Sequence, residues 1–271
     1  MNNQDYHQYL NPVIAIAKAA GAAIMQVYST DFNVVKKEDN SPLTQADLAA
    51  HDLIGSALTK MTPSIPILSE ESEAIDYEIR KGWQQYWLID PLDGTREFVK
   101  RNGEFTVNIA LINLHKSVLG VVYAPVTEVL YYAIHNSGAY KQIKFGAAVN
   151  INNRPLDLNL PIVAGSRSHT DEKMHSFMQN LADRTGVKPE LIRMGSSLKI
   201  CLVAEGLADV YPRLGPTSEW DTAAAHCILN EAGGDIVDEL GDSLLYNTKY
   251  SLLNPFFFAK SDAQHNWADY L

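Results

Sequence analysis

Cysteine is scarce in this chain of 271 residues: there are two, Cys201 and Cys227, and they lie far apart. This spacing excludes a disulfide framework and the paired cysteines of a zinc site. The chain also lacks a run of about 18 apolar residues, so we expect no segment to span a bilayer. The first residues lack the basic start and apolar stretch of a signal peptide, which predicts a cytoplasmic protein. Peripheral association with the cytoplasmic face of the inner membrane stays open.

Positive charge is in deficit, with 22 Lys and Arg against 32 Asp and Glu and a net charge of −10. This balance argues against general nucleic-acid binding. Apolar residues make up 46% of the chain and charged residues 20%, which are ordinary globular values that exclude disorder and coiled coil. Signature motifs of nucleoside triphosphate, dinucleotide, serine-hydrolase and zinc-protease sites (Gly-x-x-x-x-Gly-Lys, Gly-x-Gly-x-x-Gly, Gly-x-Ser-x-Gly and His-Glu-x-x-His) are also missing.

Apolar periodicity divides the chain into two parts. Residues 10–28 and 50–61 each carry an apolar helical face, and four β-rich runs between 105 and 143 predict an antiparallel meander. Short buried strands are expected at 65–68 and 86–89. From about residue 158, strands and helices alternate in an α/β pattern. We therefore predict an α+β domain over residues 1–157 and an α/β domain over residues 158–271.

The stretch Trp87-Leu-Ile-Asp90-Pro91-Leu92-Asp93-Gly94-Thr95 carries the clearest chemical signal. An apolar strand ends in Asp90, and a turn brings Asp93 three residues later. Two carboxylates on one turn can share hard divalent cations. A short helix beginning after Gly94 would offer free N–H groups to a phosphate oxygen. The alternative is an ordinary polar turn in which Asp90 caps a helix.

Two further acids stand at comparable points. Glu70 follows the apolar run Ile65–Leu68, and Asp221 opens a helix that Gly233 and Gly234 close. A solvated loop would explain the first, and helix capping would explain the second. If both acids join Asp90 and Asp93, four negative charges would face one another and repel. Two Mg²⁺ ions would neutralise such a cluster, and metal pairs commonly catalyse displacement at phosphorus.

Two runs, Asp90-Pro-Leu-Asp-Gly-Thr95 and Trp220-Asp221-x-Ala-Ala with Glu231-Ala-Gly-Gly234, resemble the signatures of the inositol monophosphatase-like, lithium-sensitive Mg²⁺ phosphatases. The continuation from Arg96 to Leu111 is similar to 3′(2′),5′-bisphosphate nucleotidases of the CysQ type. The resemblance covers essentially the whole chain. It implies a layered αβαβα sandwich of the inositol monophosphatase and fructose-1,6-bisphosphatase-like type, with two or three Mg²⁺ ions per site.

The resemblance also implies roles for individual residues. The implied metal ligands are Glu70, Asp90, the Leu92 carbonyl, Asp93 and Asp221. Gly94 and Thr95 would contact the reacting phosphate, and Thr95 with Asp47 would orient or deprotonate the attacking water beside Glu70. For Asp47 the sequence also allows a capping box with Thr44, and the two roles are compatible. Alternatively, this helix starts at Ser41-Pro42.

An acidic protein needs local cations to hold a substrate with two phosphates. The implied pocket for the second phosphate comprises Ser196, Ser197, Lys199 and Arg213, with weaker candidates at Arg167 and His169. The full set expected to touch substrate adds Glu70, Leu92, Asp93, Gly94, Thr95 and Asp221.

The expected activity is hydrolysis of adenosine 3′,5′-bisphosphate to AMP and phosphate, extending to its sulfated precursor, in sulfur metabolism. The partner is thus a small phosphorylated nucleotide, and the protein is a monomer or a homodimer. The alternatives are an inositol monophosphatase and a non-catalytic module that binds divalent cations.

Overall fold

The computed structural model describes residues 6–32, 34–36, 42–167, 172–262 and 264–271. Its α-helices are α1 (His7–Tyr28), α2 (Gln45–Met61), α3 (Tyr77–Arg80), α4 (Thr95–Val99), α5 (Glu172–Thr185), α6 (Leu198–Ala204) and α7 (Glu219–Glu231). The first strands are β1 (Val34–Lys36), β2 (Pro42–Thr44), β3 (Ile67–Ser69), β4 (Gln85–Asp93), β5 (Thr106–Asn113), β6 (Lys116–Ala124), β7 (Val129–Ile134), β8 (Ala139–Ile143) and β9 (Val149–Ile151). The remaining strands are β10 (Ile162–Ser166), β11 (Glu190–Met194), β12 (Val210–Arg213), β13 (Asp235–Asp238) and β14 (Phe257–Lys260), and a 3₁₀ helix covers Trp267–Tyr270.

Seven strands form the first sheet, in the order β3-β4-β5-β6-β7-β8-β9. Its β3–β4 pair is parallel and every other pair is antiparallel, so the predicted meander is confirmed. The second sheet has the order β11-β10-β12-β14-β13. In it β10 pairs in parallel with β11 and β12, whereas β14 is antiparallel to both of its neighbours. A small hairpin, β1–β2, precedes α2.

Alternation along the strands builds the layers. Trp87 and Ile89 face a core shared with α1 and α2, whereas Leu88 between them faces a core shared with α6 and α7. Phe257 of the second sheet joins this middle core, and the next residue, Phe258, faces α5 and the C-terminal 3₁₀ helix. The order helix, sheet, helix, sheet, helix confirms the layered αβαβα sandwich.

A close approach fixes α7 against the first sheet. A Cβ on Gly120 of β6 would lie 2.1 Å from the carbonyl oxygen of Ala224, so only glycine fits between this strand and this helix. The core on this side of the first sheet, the middle core, also contains residues of the second sheet, among them Phe257. The division at residue 157 stays a prediction about domain organisation.

Although the sequence has no unbroken apolar run of about 18 residues, helix α1 is long and apolar enough, at a mean hydropathy of 1.4, to be a candidate membrane span. The signal is weak, because a core helix passes the same test. Val13, Ala17, Ala20 and Ile24 of this helix are fully buried in the core against the first sheet.

Three local expectations need correction. Strand β4 does not end at Ile89 but continues to Asp93, with an irregular register against β5 between Asp90 and Asp93. The interior strand β14 of the second sheet, between β12 and β13, is not predicted from the sequence, because its hydrogen bonds run to residues distant in sequence. Helix α7 is capped by Ser218, so Asp221 lies inside its first turn instead of opening it.

Candidate active site

Three carboxylates converge at one point between the sheets. Asp90, Asp93 and Asp221 each bring a carboxylate oxygen within 4.8 Å of the others. Asp90 and Asp93 project from the irregular end of β4, and Asp221 comes from the first turn of α7. Glu70 lines the same cleft, because it follows β3, the parallel neighbour of β4, and its N–H donates to the Ile89 carbonyl at 3.1 Å. Two neighbouring strands thus deliver acids to one site, as expected.

Burial and mutual repulsion raise the pKa values of the carboxylates in this cluster. Burial, reinforced by Glu70, Asp93 and Asp221, raises the pKa of Asp90 well above its usual value. Burial, reinforced by the charges of Asp93 and Glu70, raises the pKa of Asp221 to about 8. The donor set is entirely carboxylate and carbonyl oxygen, the ligands of hard divalent cations. These residues therefore fit a divalent metal, because bound cations would neutralise the clustered negative charges.

Asp221 also performs the structural role considered for it. Its Oδ2 accepts a hydrogen bond from the N–H of Ser218 at 2.9 Å, forming a capping box that starts α7. Capping and membership of the acid cluster coexist in one side chain. Asp90, by contrast, caps no helix: its Oδ1 accepts from the Leu92 N–H at 3.0 Å, and Gly94 precedes α4 in a left-handed conformation (φ +91°).

Asp47 uses its two oxygens for two purposes. Oδ2 accepts hydrogen bonds from the N–H and the hydroxyl of Thr44, at 2.8 and 2.7 Å, which close the capping box of α2. Oδ1 faces the Thr95 hydroxyl at 3.2 Å. That hydroxyl also lies 3.2 Å from the carbonyl oxygen of Leu92. The helix therefore starts at Thr44, and Ser41, the alternative start, lies outside the described residues.

Asp93 is held by residues from distant parts of the chain. The N–H and the hydroxyl of Ser197 both lie 2.6 Å from its Oδ2, and the side-chain amide of Asn108 lies 3.3 Å away. Sequence reasoning assigned Ser197 to substrate and missed Asn108. A signal was present, because Thr106 and Asn108 are polar at alternate positions of a strand whose other buried residues are apolar.

A cleft of about 230 Å³ holds the cluster, and most of the predicted site residues line it. These are Glu70, Asp90, Leu92, Asp93, Gly94, Thr95, Ser196, Ser197, Lys199, Arg213 and Asp221. A larger cavity of about 580 Å³ adjoins it and shares Glu70, Arg213 and Asp221. Arg96, which sequence reasoning did not assign, lines both cavities.

Lys199 and Arg213 differ in the contacts that their charged groups make with the protein. Lys199 is buried, donates to the Ser196 carbonyl at 2.6 Å and lies over the ring of Tyr211. Arg213 donates through one terminal nitrogen to the Pro216 carbonyl at 2.7 Å, while its Nε is buried without a hydrogen-bond partner among the described residues.

Arg167 stands apart from these two cations. It makes a two-pronged ion pair with Glu104, at 2.8 and 2.7 Å, and is absent from the residues lining the cleft. His169, the other weaker candidate, lies outside the described residues.

Comparison with known proteins decides the family. A model described as the inositol monophosphatase family matches residues 5–267. The chain belongs to the inositol monophosphatase family. A relative from Salmonella typhimurium, named 3′(2′),5′-bisphosphate nucleotidase CysQ, is 50% identical over 250 residues, which cover 92% of this chain and 98% of the relative. A protein of the same name from Haemophilus influenzae is 40% identical over 95% of this chain and 94% of its own length.

A solved structure of CysQ from Bacteroides thetaiotaomicron, described as a bacterial member of the inositol monophosphatase family, superposes with a TM-score of 0.84. It is 40% identical and covers 96% of this chain and 100% of its own. Membership of the inositol monophosphatase family agrees with the resemblance identified from the two acidic signatures. The family is metal-dependent, in keeping with the acid cluster.

Proposed function

We propose that this protein is a metal-dependent 3′(2′),5′-bisphosphate nucleotidase, a phosphoric monoester hydrolase that converts adenosine 3′,5′-bisphosphate to AMP and phosphate. The activity is supported by curated relatives of that name at 40–50% identity over nearly the whole chain. The observation that carries it is the joining of two regions in one cleft: an acid cluster suited to divalent metal, and the buried cation Lys199 beside Arg213. A substrate with two phosphates needs both.

The acids would bind two metal ions through two sets of ligands that share Asp90. Glu70, Asp90 and the Leu92 carbonyl would bind one ion, and Asp90, Asp93 and Asp221 a second. We propose Mg²⁺ as the cation, with two or three ions per site and sensitivity to Li⁺. Bound metal supplies Lewis-acid stabilisation of the charge that grows on the phosphate oxygens and on the leaving ribose oxygen.

The protein's own groups would orient the reactants. The reacting phosphate would lie against Gly94 and Thr95 at the start of α4. The Thr95 hydroxyl, whose hydrogen-bond acceptor is Asp47 Oδ1 at 3.2 Å, would orient the attacking water. As the water attacks, Thr95 would accept a proton from it and pass the hydroxyl proton to the Asp47 carboxylate. Glu70, which also lines the cleft, would act on the same water.

The second phosphate would lie against Ser196, Ser197, Lys199 and Arg213, with the nucleoside in the adjoining larger cavity. Arg213 supports this placement, because it lines both cavities and carries a buried Nε without a partner among the described residues. Arg167 and His169 stay the weaker candidates for substrate contact, and Arg167 would reach the substrate only by leaving its ion pair with Glu104. Hydrolysis of the sulfated precursor, a role in sulfur metabolism and a cytoplasmic location complete the proposal.

A panel of phosphomonoesters assayed with Mg²⁺ tests the proposed activity. Adenosine 3′,5′-bisphosphate should be the preferred substrate, whereas preference for an inositol phosphate would refute the nucleotidase. Asp93→Asn should lower turnover by about 10²-fold or more at saturating Mg²⁺, because it removes a charge opposite the metal. The matched control is Asp76→Asn, an exposed N-cap of α3, which should leave turnover unchanged. Phosphate release that equals that of a blank would favour the non-catalytic alternative.

A further inference from the structure

The hydrogen bonds of Asp93 are distributed unevenly between its two oxygens. The Ser197 N–H and hydroxyl lie 2.6 Å from Oδ2, and the Asn108 amide lies 3.3 Å from the same oxygen. Within the described part of the chain, every hydrogen bond of this side chain ends on Oδ2. The Ser197 N–H and the Asn108 amide both donate to Oδ2, and the single proton of the Ser197 hydroxyl is shared between Oδ2 and the Asp221 carbonyl. Oδ2 therefore has little capacity left for a cation, whereas Oδ1 is available.

The donors are themselves fixed in orientation. A carboxylate can only accept, so the side chain of Asn108 must turn its nitrogen toward Asp93. The same nitrogen donates to the Ser197 hydroxyl at 2.8 Å, and its amide oxygen accepts from the Thr106 hydroxyl at 2.9 Å. Thr106 and Asn108 are almost completely buried, so water does not compete for these bonds.

Ser197 links the two acids that the proposal assigns to one metal. Its hydroxyl also lies 2.6 Å from the main-chain carbonyl of Asp221. The loop before α6 therefore connects the end of β4 to the first turn of α7. Movement of Asp93 toward two-oxygen binding would break its contacts with Ser197 and Asn108.

We propose that Ser197 and Asn108 restrict Asp93 to one-oxygen ligation and thereby make the metal site select Mg²⁺ against Ca²⁺. Mg²⁺ requires six ligands in an octahedron, and a carboxylate that binds through one oxygen fills one of these six positions. Ca²⁺ takes six to eight ligands and commonly gains them from two-oxygen carboxylates. Holding Oδ2 away from the metal therefore removes a Ca²⁺ ligand and leaves the Mg²⁺ set intact. Ser197 and Asn108 act through Asp93, as positioning residues.

Calorimetric titration of the metal-free protein with MgCl₂ and CaCl₂ tests the selectivity without substrate. In Ser197→Ala the Kd for Ca²⁺ divided by that for Mg²⁺ should fall by about tenfold, the lower end of what one hydrogen bond to a charged group changes. Ser29→Ala is the matched control, because this exposed serine lies outside the cleft and its hydroxyl donates to the Gln26 carbonyl at 2.9 Å. That variant should keep the wild-type ratio. A purely structural role of Ser197 would weaken both metals by the same factor, and that result overturns the proposal.

A crystal structure of the unmodified protein soaked in CaCl₂ gives a second test that does not depend on a variant folding. Asp93 should ligate through Oδ1 alone, and two-oxygen ligation would overturn the proposal. The inference rests on the metal site of the proposed function, but the two can fail separately. Binding of neither metal overturns both. Binding of both metals with an unchanged ratio in Ser197→Ala overturns the inference alone and leaves the phosphatase activity standing.

Discussion

The division of labour within Asp47 can be tested with two substitutions at one position. Its Oδ2 closes the capping box with Thr44, and its Oδ1 accepts from the Thr95 hydroxyl. In Asp47→Asn the single remaining oxygen can still accept from Thr44, which leaves the amide nitrogen facing Thr95. The helix cap is then retained while the acceptor for the Thr95 proton is lost. Asp47→Ala removes both contacts.

The two substitutions therefore predict different results. Asp47→Asn should lower kcat by about 10²–10⁴-fold, the usual range for loss of a proton acceptor. Its free energy of unfolding should change little. Asp47→Ala should show the same loss of kcat together with a loss of stability of about 1 kcal/mol from the missing cap. For a chain of this size that cost lowers Tm by about 2–4 °C.

The assay is phosphate release from adenosine 3′,5′-bisphosphate at saturating Mg²⁺, alongside urea unfolding of each variant. Thr44→Ala serves as a control for the cap alone, since it should lose stability and keep most of its turnover. Retention of more than a tenth of wild-type kcat by Asp47→Asn would refute the reasoning. So would an Asn variant as unstable as the Ala variant, because the oxygens would then not act separately.

Three further predictions concern the substrate pocket, the acids and the packing. Lys199→Ala should weaken adenosine 3′,5′-bisphosphate binding by about 10- to 150-fold and barely affect adenosine 3′-monophosphate, as measured by KM for the two substrates; equal losses would remove Lys199 from the pocket. Because Asp221 has a pKa of about 8 in place of 3.8, the folded metal-free protein binds more protons than the unfolded chain. Its Tm should fall as pH rises between those two values, and saturating Mg²⁺ should reduce the slope; an identical slope with metal would contradict this. Gly120→Ala should destabilise the fold by more than about 1–3 kcal/mol in urea unfolding, since its Cβ would meet the Ala224 carbonyl, whereas Gly55→Ala, in open space on α2, should be neutral or stabilising.

Local sequence patterns were sufficient for most of the fold. The apolar face of α1, the meander and the alternation after residue 158 each depend on the spacing of apolar residues along one element. Strand β14 was missed because its short aromatic run, Phe257–Lys260, becomes an interior strand only through pairing with β12 and β13. The extension of β4 to Asp93 was missed because Pro91 and Gly94 favour a turn.

The sequence by itself determined the chemistry of the site. Two acidic signatures in one chain identify the family, and acids placed at strand ends and at a helix start predict a cluster that divalent cations neutralise. Local spacing even allowed both roles of Asp47 and of Asp221, because capping operates over three residues.

Only the tertiary structure decided how these side chains are partnered. Ser197 reaches Asp93 across 104 positions of sequence, and Arg167 reaches Glu104 across 63. Neither contact leaves a local pattern, because each depends on how two sheets and the helices between them pack. Long-range packing thus pairs Arg167 with Glu104, and it directs the donors of Ser197 and Asn108 onto a single oxygen of Asp93.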